Sequence, residues 1–185
     1  MTDEELCAAI GEHALLEGDF VLRSGRRSRY YLDKYRFETR PELLGALGER
    51  IAARVGEADP VAERLAGPEL GAVALAAAAS LVSGLPFLIV RKGAKAYGTG
   101  NRLEGAWERG ERVCLVEDVV TSGGAAIEAV EELRRVGLEC RAAVCVVDRE
   151  EGGKEALADR GVTLHALFGA SEVLEARKSA ANPRG

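Results

Sequence analysis

The sequence predicts an α/β fold in which helices flank a central, mostly parallel sheet. Two observations predict it. From about residue 61 onward, short apolar segments alternate with helical ones, and glycine or proline stands at their junctions. Strands that alternate with helices form parallel sheets covered on both faces, joined by right-handed crossovers. A length of 185 residues fits one domain. We expect an N-terminal subregion (1–38), an α/β core (39–178) and a tail (179–185).

The N-terminal elements follow from capping and turn signals. Thr2 and Glu5 have the spacing of a capping box, and Pro41 suits the first turn of a later helix. The predicted elements are a helix from Thr2 to about Gly18, strands at 20–22 and 30–32 around a basic turn, and a helix from Thr39 to about Val55.

The core elements follow from apolar runs bounded by glycine and proline. In chain order, they are a weak strand at 61–66, an alanine-rich helix after Gly71, strands at 86–90 and 112–116, a helix at 123–136, a strand at 141–147, a short helix at 154–159, a strand at 162–168 and a helix from Ser171. Residues 70–90 carry no charge, and this length could span a membrane. Their alanine and glycine content and the break at 83–86 favour a buried helix and a strand, so we expect no membrane segment.

Charge and cysteine content exclude other classes. Thirty acidic residues against 25 Lys and Arg give a net charge of −5, which argues against nucleic-acid binding by bulk electrostatics. The four cysteines form no C-x-x-C pair and have no zinc-like spacing with the two histidines. The N-terminus is acidic and does not resemble a signal peptide. We therefore predict a cytoplasmic protein with reduced thiols.

Residues 112–127 carry the strongest functional signal. An apolar strand leads into Glu117 and Asp118, then into Thr121-Ser122-Gly123-Gly124, then into a helix. Backbone N–H groups at such a helix N-terminus bind a phosphate monoester, and glycines allow the anion to approach closely. Adjacent carboxylates accept hydrogen bonds from vicinal hydroxyls or help to position a metal ion. The pattern favours a ribose 5-phosphate pocket over its alternative, a solvated acidic turn.

Val113–Ala125 resembles the phosphoribosyl-pyrophosphate (PRPP) signature of type I phosphoribosyltransferases. Four further segments resemble the orotate phosphoribosyltransferase family within that group, and their order fits nearly the whole chain. These are Phe20–Tyr31, Gly67–Gly71, Arg91–Gly98 and Val147–Arg149. The resemblance implies a type I phosphoribosyltransferase fold with an N-terminal hood at 1–38 and a flexible lid. It implies transfer of ribose 5-phosphate from PRPP to orotate in pyrimidine biosynthesis.

The resemblance also implies roles for individual residues. The implied catalytic residues are Lys92, Lys95 and Asp118. PRPP would be bound by Arg91, Lys92, Lys95, Tyr97, Glu117, Asp118, Val119, Val120, Thr121, Ser122, Gly123, Gly124 and Ala125. Orotate would be bound by Thr121, Arg149 and Arg23, because a guanidinium can hold its carboxylate in a two-pronged contact. Alternatively, Arg149 pairs with Glu150 or Glu151 at the surface. Tyr30 and Tyr31 would pack beside the base or belong to the hairpin.

Three positions depart from the family pattern. Tyr97 stands where many relatives have histidine, Arg23 where many have lysine, and Gly71 where some have lysine nearby. Tyr97 removes an imidazole proton donor, and the departure at Arg23 leaves the role of that residue open. Without a lysine near Gly71, the positive charge that binds pyrophosphate would come more from the lid.

Residues 91–105 carry four cations, one anion and four glycines, which is typical of a mobile lid over an anion or of a solvated loop. In similar enzymes the lid reaches into the neighbouring subunit, which implies a homodimer. Mg²⁺ would be held mainly through PRPP, with no direct protein ligand. The alternatives are a purine or uracil phosphoribosyltransferase and a PRPP-sensing regulator that does not turn over.

Overall fold

The computed structural model describes residues 1–21, 25, 27–93 and 102–181. At the N-terminus, the elements are α1 (Asp3–Ala14), β1 (Leu15–Val21), β2 (Arg27–Leu32), α2 (Tyr35–Glu38) and α3 (Pro41–Ala58). The predicted capping box is present: the Thr2 hydroxyl accepts from the Glu5 N–H, and the Thr2 N–H donates to the Glu5 carboxylate. Helix α1 ends at Ala14, before the predicted Gly18, because Leu15 already pairs with Leu32 in the β1–β2 ladder and both are buried.

The main sheet has six strands in the described residues. They are β3 (Arg64–Pro68), β4 (Phe87–Val90), β5 (Leu103–Glu104), β6 (Arg112–Val120), β7 (Glu139–Asp148) and β8 (Thr163–Gly169). Their spatial order is β5-β4-β3-β6-β7-β8, and every neighbouring pair is parallel except β4–β5. The prediction of a mostly parallel sheet is confirmed.

The remaining helices are α4 (Gly71–Ser83), α5 (Gly124–Arg135), α6 (Gly153–Ala158) and α7 (Ala170–Ala181). Side chains along β6 alternate between two apolar cores, because successive residues of a strand point to opposite faces. Cys114 and Val116 join the core that includes α1, α3 and α4, while Val113 and Leu115 join the core beneath α5. Both faces of the sheet are therefore covered.

Some predicted boundaries are wrong. The weak strand runs over 64–68, not 61–66, because its ladder follows the register with β4 and β6. Strand β6 continues to Val120 beside β7, so Glu117 and Asp118 lie inside the strand and not after it. The two-residue strand β5 is too short to leave a periodic signal. Helix α7 continues to Ala181, past the expected start of the tail.

The uncharged segment 70–90 folds as helix α4 followed by strand β4, as the sequence favoured. Gly48 of α3 lies so close to Ala78 of α4 that an added Cβ would come within 2.8 Å of the alanine Cβ. The small residues thus let these two helices pack closely. Among the described residues, no helix is both long and apolar enough to cross a membrane.

Candidate active site

The candidate site lies where the strand order of the sheet changes direction. From β3, the chain adds β4 on one side, and it later returns to place β6 on the other side of β3. The loops that leave the carboxyl ends of β3 and β6 therefore diverge and open a crevice, which is the usual ligand site of such sheets. Residues 67–71 and 117–125 border this crevice.

The segment after β6 forms a turn at the start of α5, where the sequence predicts an anion-binding turn. Gly123 has a φ of +81° and is the N-cap of α5. The Ile127 N–H donates to the Gly123 carbonyl, so the amides of the three residues between them have no partner within the helix. A small surface pocket here is lined by Glu117, Val119, Val120, Thr121, Gly123, Gly124, Ala125 and Ala126. The turn thus presents unpaired N–H groups to an anion.

Gly153 supports this turn from behind, and the sequence reasoning missed it. An added Cβ on Gly153 would lie 2.5 Å from the Thr121 carbonyl oxygen and 2.5 Å from Val120 Cγ1. The only local signal was the Gly152-Gly153 pair that begins α6.

Glu117 and Asp118 have different surroundings because neighbouring residues of a strand point to opposite faces. Glu117 lines the pocket of the anion-binding turn. Its buried Oε1 has no hydrogen-bond partner among the described residues. Burial, reinforced by the negative charge of Asp118, raises the pKa of Glu117 to about 8. A pKa of about 8 favours the protonated form of this carboxyl group at neutral pH.

Asp118 is bonded at both oxygens. Its Oδ1 accepts from the Val119 N–H, and its Oδ2 accepts from Lys34 Nζ at 2.5 Å. The buried Glu38 lies beside the same carboxylate. Burial raises the pKa of Glu38, and the charge of Asp118 raises it further. Lys34 and Glu38 were not predicted, since no sequence pattern connects them with Asp118, which is 84 positions from Lys34.

The Gly67–Gly71 turn and the first lid residues meet at the ends of β3 and β4. The Glu69 N–H donates to the Val90 carbonyl, and the Lys92 N–H donates to Glu69 Oε1 at 2.7 Å. Arg91 forms ion pairs with Glu104 at 3.3 Å and Glu69 at 3.9 Å. The predicted lid thus starts beside the crevice. Lys95 and Tyr97 lie outside the described residues.

Arg149 follows β7 at the same edge of the sheet, as predicted. The backbone N–H of Arg149 donates to the Val120 carbonyl, and only 7% of the Arg149 side chain is exposed. The guanidinium pairs with Glu151 at 3.2 Å and lies 5.0 Å from the centre of the Tyr30 ring. Its buried Nε has no hydrogen-bond partner among the described residues. The surface pair considered as an alternative exists, but the cation itself is buried. Arg23 lies outside the described residues.

This fold and anion-binding turn define a class of protein. Residues 63–172 match the phosphoribosyl transferase domain, and the chain belongs to that family.

The individual relatives specify a branch of the family. The orotate phosphoribosyltransferase of Methanocella arvoryzae is 51% identical over 85% of this chain and 88% of its own length. The solved structure of orotate phosphoribosyltransferase from Aeropyrum pernix has a TM-score of 0.80, is 33% identical, and covers 94% of this chain and 97% of its own. The orotate phosphoribosyltransferase of Mycobacterium tuberculosis, solved in complex with PRPP, has a TM-score of 0.77 and is 28% identical, over 92% of this chain and 98% of its own. The relatives compared are orotate phosphoribosyltransferases.

Proposed function

We propose that this chain transfers ribose 5-phosphate from PRPP to orotate, forming orotidine 5′-phosphate and pyrophosphate in pyrimidine biosynthesis. The buried Arg149 guanidinium is the observation that carries the choice of base. Arg149 lies beside the anion-binding turn, because its backbone N–H donates to the carbonyl of Val120, the residue just before Thr121. Orotate has a carboxylate that uracil lacks, and a desolvated guanidinium binds a carboxylate strongly and directionally.

The pocket after β6 takes the 5′-phosphate of PRPP. Thr121 and Ser122 are exposed, as are Gly124 and Ala125, so their amides and hydroxyls are accessible to the phosphate. Asp118 accepts hydrogen bonds from the ribose hydroxyls, and Glu117 contacts PRPP from the pocket on the opposite face of the strand. Thr121 and Arg149 then hold orotate on the anomeric side of the ribose.

The reaction breaks the bond between C1 of the ribose and the pyrophosphate oxygen, and the electron pair leaves with pyrophosphate. N1 of orotate forms the new bond to C1, and its proton passes to the solvent. Negative charge grows on the departing pyrophosphate, so cations placed there stabilise the transition state more than the ground state. We assign that role to Arg91, Lys92 and Lys95, with Tyr97 as a neutral hydrogen-bond donor.

Mg²⁺ enters as part of the substrate in this proposal. Asp118 already pairs with the Lys34 ammonium, and burial favours the neutral form of Glu117, so neither side chain attracts a cation strongly. Mg²⁺ retains waters and readily binds substrate phosphates, so we assign the ion to the pyrophosphate of PRPP.

We further propose a cytoplasmic homodimer in which Lys95 and Tyr97 act in the partner's site. The exposed apolar side chains of Leu81 and Val82 at the end of α4 offer surface for such an interface. Mixing Lys95→Ala with Arg149→Ala protein tests the arrangement, because a mixed dimer keeps one intact site. Recovery of about a quarter of the wild-type activity is expected after random exchange of subunits. No recovery, with exchange shown by differently tagged subunits, would exclude action across the interface.

The activity itself is tested by the loss of orotate absorbance when PRPP and Mg²⁺ are added. Uracil, adenine, guanine and hypoxanthine with PRPP form the comparison panel, and released pyrophosphate is measured in parallel. Conversion of orotate alone is expected. Conversion of another base in its place would indicate the purine or uracil alternative, and PRPP binding without pyrophosphate release would indicate a sensor.

A further inference from the structure

Lys34 brings a positive charge from the N-terminal region into the crevice. It stands just before α2, and its ammonium contacts the Asp118 carboxylate at 2.5 Å. The Asp118 side chain is only 5% exposed, whereas that of Lys34 is 35% exposed. Burial lowers the pKa of Lys34, but the charge of Asp118 and the hydrogen bond to it raise the pKa more, so the net shift is upward. The ammonium is therefore charged and partly open to the crevice.

The same contact lies against the Gly67–Gly71 turn. An ideal Cβ on Gly71 would be 1.9 Å from Asp118 Oδ2 and 2.8 Å from Glu38 Oε1. With a carbon–carbon bond of about 1.5 Å, Lys34 Nζ lies no more than about 6 Å from Gly71 Cα. Glu69 is the only charged residue of this turn, so the turn has no cation of its own. Lys34 therefore supplies a positive charge beside a turn that carries none.

Lys34 also offsets negative charge at the site, where three acidic side chains are buried. Glu38, Glu117 and Asp118 are all buried. Burial raises the pKa of Glu38 and of Glu117, and the charge of Asp118 raises both further. Without a neighbouring cation, ionised Asp118 would repel the anionic PRPP. The Lys34 ammonium offsets this negative charge, and the carboxylate can still accept hydrogen bonds.

We infer that Lys34 is a further PRPP-binding residue of this chain, an inference that rests on the proposed function. Its ammonium pairs with Asp118, which accepts from the ribose hydroxyls, and faces the pyrophosphate. In PRPP, the ribose hydroxyls are on C2 and C3, and the pyrophosphate is on the adjoining C1. An ammonium paired with the carboxylate that accepts from those hydroxyls therefore lies next to the leaving group. Glu38 positions Lys34 and Asp118 from the side of α2.

The test compares Lys34→Met and Lys34→Arg with the control Arg36→Met. Arg36 lies on α2, is 53% exposed and pairs with Asp33, so the control removes the same charge from the same helix. The readouts are the calorimetric affinity for Mg²⁺–PRPP, inhibition by pyrophosphate and by ribose 5-phosphate, and the KM values for PRPP and orotate. A charge-assisted hydrogen bond is worth about 1.5–3 kcal/mol, so affinity for PRPP should fall about 10- to 100-fold in Lys34→Met. Lys34→Arg should recover part of it.

The pattern across ligands separates binding from a purely structural role. In Lys34→Met, inhibition by pyrophosphate should weaken more than inhibition by ribose 5-phosphate, and the KM for orotate should change little at saturating PRPP. Wild-type affinity for PRPP and pyrophosphate in a folded Lys34→Met protein would overturn the inference. If that variant unfolds, Lys34→Gln removes the charge but keeps a hydrogen-bond donor for Asp118, and the same measurements decide.

Failure of this inference is distinguishable from failure of the proposed function. PRPP and pyrophosphate affinities do not depend on turnover of orotate. If wild-type protein binds PRPP without converting orotate, the proposed function is wrong, while the Lys34 variants still test the cation. If wild-type protein converts orotate and Lys34→Met binds PRPP as tightly, only the inference on Lys34 is wrong.

Discussion

Replacing Gly71 with alanine tests how closely the turn after β3 approaches Asp118. The added Cβ would lie 1.9 Å from Asp118 Oδ2, whereas ordinary contacts begin near 3.4 Å. The carboxylate would have to move by about 1.5 Å, which breaks its 2.5 Å contact with Lys34. Crowding a packed site costs about 1–3 kcal/mol, and a partly buried charge that loses its partner adds about 1–3 kcal/mol. Better helix propensity returns less than about 1 kcal/mol.

The expected net loss is about 1–6 kcal/mol in the free energy of unfolding, or roughly 2–24 °C in Tm for a chain of this size. Urea and thermal unfolding of Gly71→Ala measure it, and calorimetry with PRPP should show at least a tenfold weaker affinity. Gly45→Ala is the matched control, since this exposed glycine of α3 has open space around it. Here alanine should stabilise the protein by about 0.4–1 kcal/mol. Gly71→Ala protein that is as stable as the control and binds PRPP normally would refute the close approach.

Three further predictions concern the base, the buried acid and the thiols. Arg149→Ala should lower kcat/KM for orotate about 100-fold or more while leaving PRPP affinity nearly unchanged, since truncating a buried charge contact costs about 2–5 kcal/mol; unchanged preference for orotate over uracil would remove its role. The pKa of Glu117 is raised to about 8 from an ordinary 4.5. Between these two pH values, unfolding releases the proton of Glu117, so the free energy of unfolding of the wild type should fall as the pH rises from about 4.5 to 8. Glu117→Gln should gain at least about 1 kcal/mol relative to wild type between pH 5 and pH 8 in urea unfolding, and parallel pH curves would contradict the shift. A thiol reagent at pH 8 should modify native protein slowly and urea-unfolded protein fully, because burial raises the pKa of Cys7, Cys114, Cys140 and Cys145; rapid native labelling would show that the cores open.

Much of the fold could be predicted because its signals are local. Apolar runs with glycine and proline at their ends identified the five parallel strands and the helices between them. The errors fell at boundaries, where pairing with neighbours decides. Strand β6 extends to Val120 because it has β7 beside it, and α1 stops at Ala14 because Leu15 joins a ladder with β2. Strand β5 is defined by its pairing with β4, and two residues are too few to show the alternating pattern that predicts a strand.

The sequence by itself determined the parts of the candidate site that are contiguous: the anion-binding turn at Thr121–Gly124 and the arginine at the end of β7. Their backbone geometry depends on residues a few positions apart, so a short motif contains it. Only the tertiary structure decided that Lys34 and Glu38 meet Asp118, that Gly71 leaves room for them, and that Gly153 supports the turn. Those contacts join segments brought together by burial of a shared core, and burial does not prescribe which polar side chains will meet at its edge.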